Sequence, residues 1–199
     1  MTFEVGLRRL TGSHGSVTLP ERLVALHEAL AARRIAHAFG GAIALAYWTL
    51  EPRGTIDIDV NVFVPATKAE RVLRALPAGV SEPTGAAEVI ARDGQIRLWW
   101  DEVPVDLFFD YVPIHADAAR NRRRVPFAGT QIPVLGPAEL AVFKVMFGRT
   151  QDWADVEAML AAGTLDVEAA RAELTTLLDV DDERFARLDE AARRAASQN

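Results

Sequence analysis

Apolar side chains recur along this chain in two periods, and the switches between them mark out its elements. Over residues 20–34 they fall at Leu23, Val24, Leu26, Leu30 and Ala31, the spacing of one helical face. Residues 35–39 read as a short strand that Gly40-Gly41 ends, and the alanine-rich stretch 42–50 is apolar enough for a buried helix. Residues 55–64 alternate as a strand does. In 67–76 a threonine stands three residues before Glu70, the signature of a capping box. Asp93-Gly94 between 87–91 and 95–100 predicts a hairpin, with a further strand over 104–109. A short second hairpin is expected from 125–127 and 131–135 around Ala128-Gly129-Thr130. From Pro137 onward the period turns helical, over 138–147, 150–161, 167–178 and 182–196. Strands precede helices, so the expected fold is α/β (α+β): a sheet core over residues 1–136 and a helical region over 137–199 packed against it. Residues 11–16 read as irregular, and the arginine- and alanine-rich tail after Leu188 is expected to fray.

With 199 residues, half of them hydrophobic, the chain can bury the core of one domain, with or without a small appendage. The absence of cysteine excludes a disulfide framework, thiolate metal sites and cysteine nucleophiles. Arg8 and Arg9 are not followed by an apolar run of signal-peptide length, and no segment approaches the roughly 20 apolar residues of a membrane span. A cytoplasmic protein without a membrane partner is expected. A net charge of −6 argues against a protein that coats nucleic acid, yet leaves room for a local basic patch. Lys68 and Lys144 are the only lysines; Arg120, Arg122, Arg123 and Arg124 form the densest cationic cluster. Arginine forks fit phosphate oxygens in pairs, so this cluster is a candidate contact for an RNA backbone or a triphosphate. A solvated strand edge or loop is the alternative.

Chemistry concentrates in the segment Thr55-Ile-Asp57-Ile-Asp59. On an extended chain Asp57 and Asp59 project together while Ile56, Ile58, Val60 and Val62 project the other way. Such a pair of carboxylates repels itself unless a cation lies between them, and hard oxygen ligands suit Mg²⁺, which takes substrate phosphates as its remaining ligands. Gly40-Gly41, ending a strand and opening a helix, would let backbone amides approach phosphate; a tight turn with no ligand is the plainer reading. Asp106 leaves the face opposite Val103, Val105, Leu107 and Phe109. Beside the Asp57/Asp59 strand it would complete three acidic groups able to hold two metals, the arrangement used for in-line phosphoryl displacement. An aspartate facing solvent from an edge strand is the alternative.

Lys144 lies on an apolar helix and needs an anionic partner or a route outward. Beside a triphosphate it would neutralise the charge building on pyrophosphate. Arg149, Asp152 and Asp155 follow on the next turns; the two aspartates also suit the first turn of a helix, the preferred reading for Asp155. His37 reads as a satisfied strand histidine, and His14, His27 and His115 show no zinc-ligand spacing. Of Trp99 and Trp100, one is expected in the core and one in a surface groove.

The ordered set Gly40-Gly41, Asp57-x-Asp59, Asp106, and Lys144 with Arg149 and Asp152 resembles the nucleotidyltransferase superfamily, and within it the AbiEii or MenT type of toxin. The similarity spans about residues 36–160 and includes Arg53-x-Thr55-x-Asp57-Ile-Asp59. It implies a mixed sheet with a helical C-terminal portion and Mg²⁺-dependent transfer of a nucleotide from an NTP. For the MenT branch it implies a tRNA 3′ end as acceptor, CTP or UTP as donor, and a cognate antitoxin as partner. In these terms Asp57, Asp59 and Asp106 bind metal, and Gly40, Gly41, Lys144 and Arg149 meet the nucleotide. Asp152 contacts the nucleotide or orients Lys144, and Arg120, Arg122, Arg123 and Arg124 track RNA. The superfamily usually shows Gly-Ser where this chain has Gly40-Gly41. Two further readings keep the fold: transfer to a small-molecule hydroxyl of aminoglycoside type or to a protein, and a partner-binding module without turnover.

Overall fold

The first helix is started by Thr18, whose side chain accepts from the Glu21 amide while the Glu21 carboxylate accepts from the Thr18 amide at 2.7 Å. This capping box opens α1 (Leu19–Ala32). The computed structural model describes residues 17–52 and 54–197; Arg8, Arg9, the 11–16 stretch with His14, and Arg53 lie outside them. After α1 come β1 (His37–Phe39), α2 (Gly41–Thr49), β2 (Ile58–Pro65), a 3₁₀ turn over Ala66–Lys68, α3 (Ala69–Leu73), β3 (Val80–Ser81) and α4 (Ala86–Asp93). Then follow β4 (Gln95–Trp100), β5 (Val103–Asp110), α5 (Ile114–Asn121), β6 (Arg123–Phe127) and β7 (Thr130–Val134). Four helices close the described chain: α6 (Pro137–Phe147), α7 (Thr150–Ala161), α8 (Val167–Leu174) and α9 (Glu183–Ala196).

Seven strands form one mixed sheet in the order β3-β4-β5-β2-β1-β7-β6. β2 pairs with β5, and β1 with β7, in parallel; the other neighbours are antiparallel. Strand alternation gives the middle of the sheet a pair of unlike faces. Ile58, Val60, Val62, Val105, Leu107, Phe109, Leu98 and Trp100 turn to one face and are buried. Asp59, Asn61, Asp106, Phe108, Gln95, Arg97 and Trp99 turn to the other. The two tryptophans thus divide, Trp100 into the core and Trp99 outward. On the apolar face α1 sets Arg22 5.8 Å from the Trp100 ring centroid, with an ion pair to Asp101 at 2.5 Å. On the polar face α6 brings Phe147 edge-on to Phe108. α6 packs in turn on α2, α7 and α8. No helix among the described residues is long and apolar enough to cross a membrane.

Four expectations need correction. Residues 87–91 are helical, because Ala86 and Ile90 make a buried stripe at helical spacing and Gly94, at φ +71°, closes that helix instead of a hairpin. The capping box at Thr67 and Glu70 does not form: Thr67 lies inside the 3₁₀ turn, and the helix behind it has no side-chain cap. Residues 55–57 precede the strand, which starts at Ile58. The tail after Leu188 stays helical to Ala196, since Ala191 is buried and Arg194 pairs with Glu190 and with Glu157 of α7. α5 and the two-residue β3 had no clear sequence signal.

Deleting residues 189–199 therefore removes a packed helix end. The expected outcome is a lower thermal midpoint by circular dichroism; an unchanged midpoint would mean that the tail frays after all.

Candidate active site

The parallel pairing of β2 with β5 sets Asp59 level with Asp106, and alternation turns both side chains to the polar face. Asp57, just ahead of β2, supplies a third carboxylate. Burial first, then the charges of Asp57 and Asp106, push the Asp59 carboxyl up to about 7, against the opposing pull of Lys144 and Arg149. The Thr55 hydroxyl donates to Asp57 Oδ1, tying that carboxylate to its own loop. These groups floor a cleft of about 790 Å³ that Phe143, Phe147 and Val89 also line.

Gly40 and Gly41 form the turn from β1 into α2, and the two do different work. The Gly40 amide donates to the Asp59 carbonyl at 2.9 Å, so it is committed to the sheet. Gly41 has φ +48°, and a Cβ there would collide with the Asp59 carboxylate. Any larger residue at 41 would require the Asp59 carboxylate to move. The first amides of α2, from Gly41 onward, have no intrahelical acceptor, and Gly41 and Ala42 line the cleft.

The opposite wall is the α6–α7 turn, made possible by Gly148 at φ +69°. Lys144 is buried, and its Nζ donates to Asp155 Oδ2 at 2.5 Å and stands 3.7 Å from Asp152 Oδ1. Gln151 donates to the other Asp155 oxygen at 3.0 Å. Asp152 is gripped by Arg149, from Nε at 2.7 Å and Nη2 at 3.1 Å, and caps the Arg149 amide at 3.2 Å. Burial raises the Asp152 carboxyl, but the Arg149 hydrogen bond and the Lys144 charge bring it below the ordinary range. Asp155, read from sequence as a helix-start charge, is thus the nearest partner of Lys144. Arg149 itself is mostly exposed and lies 5.3 Å from the Phe147 ring centroid.

Arg97 went unseen in the sequence. Opposite Asp106 across the antiparallel β4–β5 pair, it donates from Nε to Oδ1 at 2.8 Å and from Nη2 to Oδ2 at 2.6 Å. Only strand register could have revealed it. Among the described residues no group of three or more aspartates, glutamates or histidines is placed to hold a metal ion. Arg120, Arg122, Arg123 and Arg124 do not line the cleft. Arg120 pairs with Asp117, Arg122 donates to the Ala119 carbonyl and stands 5.8 Å from the Phe63 ring centroid, and Arg123 donates to the Asn121 carbonyl at 2.9 Å. His37 is satisfied at both ring nitrogens, by Ile35 O at 2.8 Å and His27 Nδ1 at 2.9 Å.

The sheet order, the strand-to-helix turn and the acidic pair define a nucleotidyltransferase-like fold. An antigenic nucleotidyltransferase-like protein from Paracoccidioides brasiliensis superposes with a TM-score of 0.51 at 15% identity, over 86% of this chain and 92% of that one. The antibiotic-resistance factor ANT(2″)-Ia does so with a TM-score of 0.50 at 13% identity, over 90% and 91%. No protein-family model matches the chain, and no curated protein does.

Two outcomes follow for stability. Gly41→Ala should lower the thermal midpoint, through left-handed strain of about 1 kcal/mol plus the Asp59 collision. Combining it with Asp59→Ala should restore part of the loss; equal losses in both backgrounds would refute the contact. Because Asp59 ionises less readily folded than unfolded, the native chain binds the extra proton between the ordinary carboxylate range and about pH 7. Stability is lost as pH rises through that interval. In chelator, Asp59→Asn should therefore exceed the wild-type midpoint above pH 7 and match it near pH 4, each kcal/mol recovered being worth roughly 2–4 °C.

Proposed function

We propose that this chain is a Mg²⁺-dependent nucleotidyltransferase that moves a nucleotide from an NTP to a hydroxyl acceptor. The observation that carries this is the register of Asp59 with Asp106, with Asp57 beside them, facing the open amides of α2. The donor set suits the metal by its chemistry: burial first, then the charges of Asp57 and Asp106, keep the Asp59 proton up to about pH 7, and a divalent cation among these hard oxygens relieves the repulsive part. Asp57, Asp59 and Asp106 would hold Mg²⁺. When bound, it supplies neutralisation of the triphosphate and a more acidic acceptor hydroxyl.

The chain's own groups do the rest. The amides of Gly41, Ala42 and Ile43, at the positive end of α2, receive phosphate oxygens. Lys144 and Arg149 place positive charge where pyrophosphate departs. Asp152 positions both cations without touching the reacting atoms, and Asp155 fixes Lys144.

For the acceptor we favour a tRNA 3′ end, with CTP or UTP as donor, transfer that blocks translation in the cytoplasm, and an antitoxin as partner. Support comes from Arg122, whose guanidinium covers Phe63. Phe63 alternates to the same face of β2 as Asp59, roughly 13 Å along the strand. Arg120, Arg123 and Arg124 lie beside it in sequence, at the end of α5 and on edge strand β6, and such a run of arginines suits an RNA backbone. A second acceptor, a cationic small molecule bearing a hydroxyl, is favoured by the lining. Among the described residues of the lining, Asp57, Asp59, Asp93, Asp106 and Asp152 outnumber Arg97, Lys144 and Arg149, each of these cations already ion-paired, and Asp93 is paired with Arg92.

Incubation with each labelled NTP, Mg²⁺ and either total RNA or an aminoglycoside separates the two. Label in the tRNA 3′ end supports the first; label only in the drug supports the second. Asp59→Asn should abolish transfer to either while keeping the fold. Lys144 is a poorer probe, since its loss strands two buried carboxylates at about 3–5 kcal/mol. No Mg²⁺-dependent thermal shift with any NTP would leave a scaffold that binds a partner without turnover.

A further inference from the structure

We infer that Arg97 is a displaceable counter-ion that occupies Asp106 until a nucleotide arrives, so that the third metal-facing carboxylate becomes available only in the nucleotide complex. This rests on the nucleotidyltransferase reading.

Both Asp106 oxygens accept from Arg97, one from Nε and one from Nη2, in the two-pronged geometry that fixes a guanidinium most firmly. A cation needing an Asp106 oxygen competes directly with that fork. Arg97 is nevertheless built to leave: its side chain is 55% exposed against 14% for Asp106. Its stem rises from the outward face of β4 into the cleft that Asp57 and Asp59 also line. The hydrogen bonds and charge of Asp106, and then the charges of Asp57 and Asp59, hold its guanidinium firmly protonated. The acidic cluster is thus partly neutralised from within. A triphosphate entering the same cleft offers the fork a second planar pair of anionic oxygens, and arginine binds phosphate as readily as carboxylate. Transfer of Arg97 from Asp106 to phosphate then frees a ligand for the metal as the nucleotide is bound. Mg²⁺ loading and nucleotide binding become reciprocally coupled, which is what linkage requires of two sites sharing one residue. Arg97 thus acts on the metal through Asp106 and on the nucleotide directly. A purely structural role, a cross-strand pair joining β4 to β5, would hold the sheet and leave metal affinity alone.

Mn²⁺ binding, followed by electron paramagnetic resonance at pH 8, tests this with a readout independent of turnover. Without nucleotide, Arg97→Met should bind Mn²⁺ more tightly than wild type, on the order of tenfold. A non-hydrolysable NTP analogue should tighten wild-type binding and narrow that gap. In an Asp106→Asn background the Arg97 substitution should change nothing. Arg97→Lys, which keeps the charge without the fork, should fall between and serves if the methionine variant does not fold. A folded Arg97 variant with unchanged or weaker Mn²⁺ affinity overturns the inference alone. Wild-type protein that binds no Mn²⁺ with any NTP analogue overturns the functional reading and the inference together.

Discussion

Two carboxylates placed level on neighbouring parallel strands repel each other, and much of the site can be understood as what makes Asp59 beside Asp106 tolerable. β4 contributes Arg97 against Asp106 from one side. The α6–α7 turn brings Lys144 and Arg149 near enough to draw on Asp59 from the other. Gly41 gives up a side chain so that the Asp59 carboxylate has a place to lie. Even so the balance is incomplete, and Asp59 holds its proton into the neutral range. A folded chain that keeps such a cluster gives up stability there.

The positive side of the cleft carries its own cost. Lys144, Asp152 and Asp155 are all buried, and charges removed from water are held only by close, well-directed contacts. Lys144 meets Asp155 at 2.5 Å, while Asp152 shares its oxygens between Arg149 and, more distantly, the lysine. The exposed guanidinium of Arg149 and the hidden ammonium of Lys144 are therefore held through one linked set of carboxylates.

Much of this fold was legible from periodicity. The bounds of α7 and most of α6, α1 and β5 follow from where apolar residues fall. The failures share a cause, in that short signals serve more than one structure. Asp93-Gly94 suits a hairpin, but a left-handed glycine also ends helices, and the buried stripe of Ala86 and Ile90 decided for the helix. The tail looked fully solvated because its buried face is narrow: Phe185, Leu188 and Ala191. In the site, alternation told which way Asp59 and Asp106 point but not that their strands are neighbours, since β2 and β5 are far apart in the chain. Arg97 and the pairing of Asp155 with Lys144 were invisible for the same reason, one needing strand register and the other the angle of a helix turn.

That turn ties α7 to the cleft, which its Gln151 and Asp152 line. Gly148 ends α6 in a left-handed kink and Arg149 begins α7 at once, so the linker between the two helices has no slack. One extra residue there would move the start of α7 and shift Asp152 and Asp155 relative to the ammonium they meet. The length of this joint therefore sets where the two carboxylate partners of Lys144 stand.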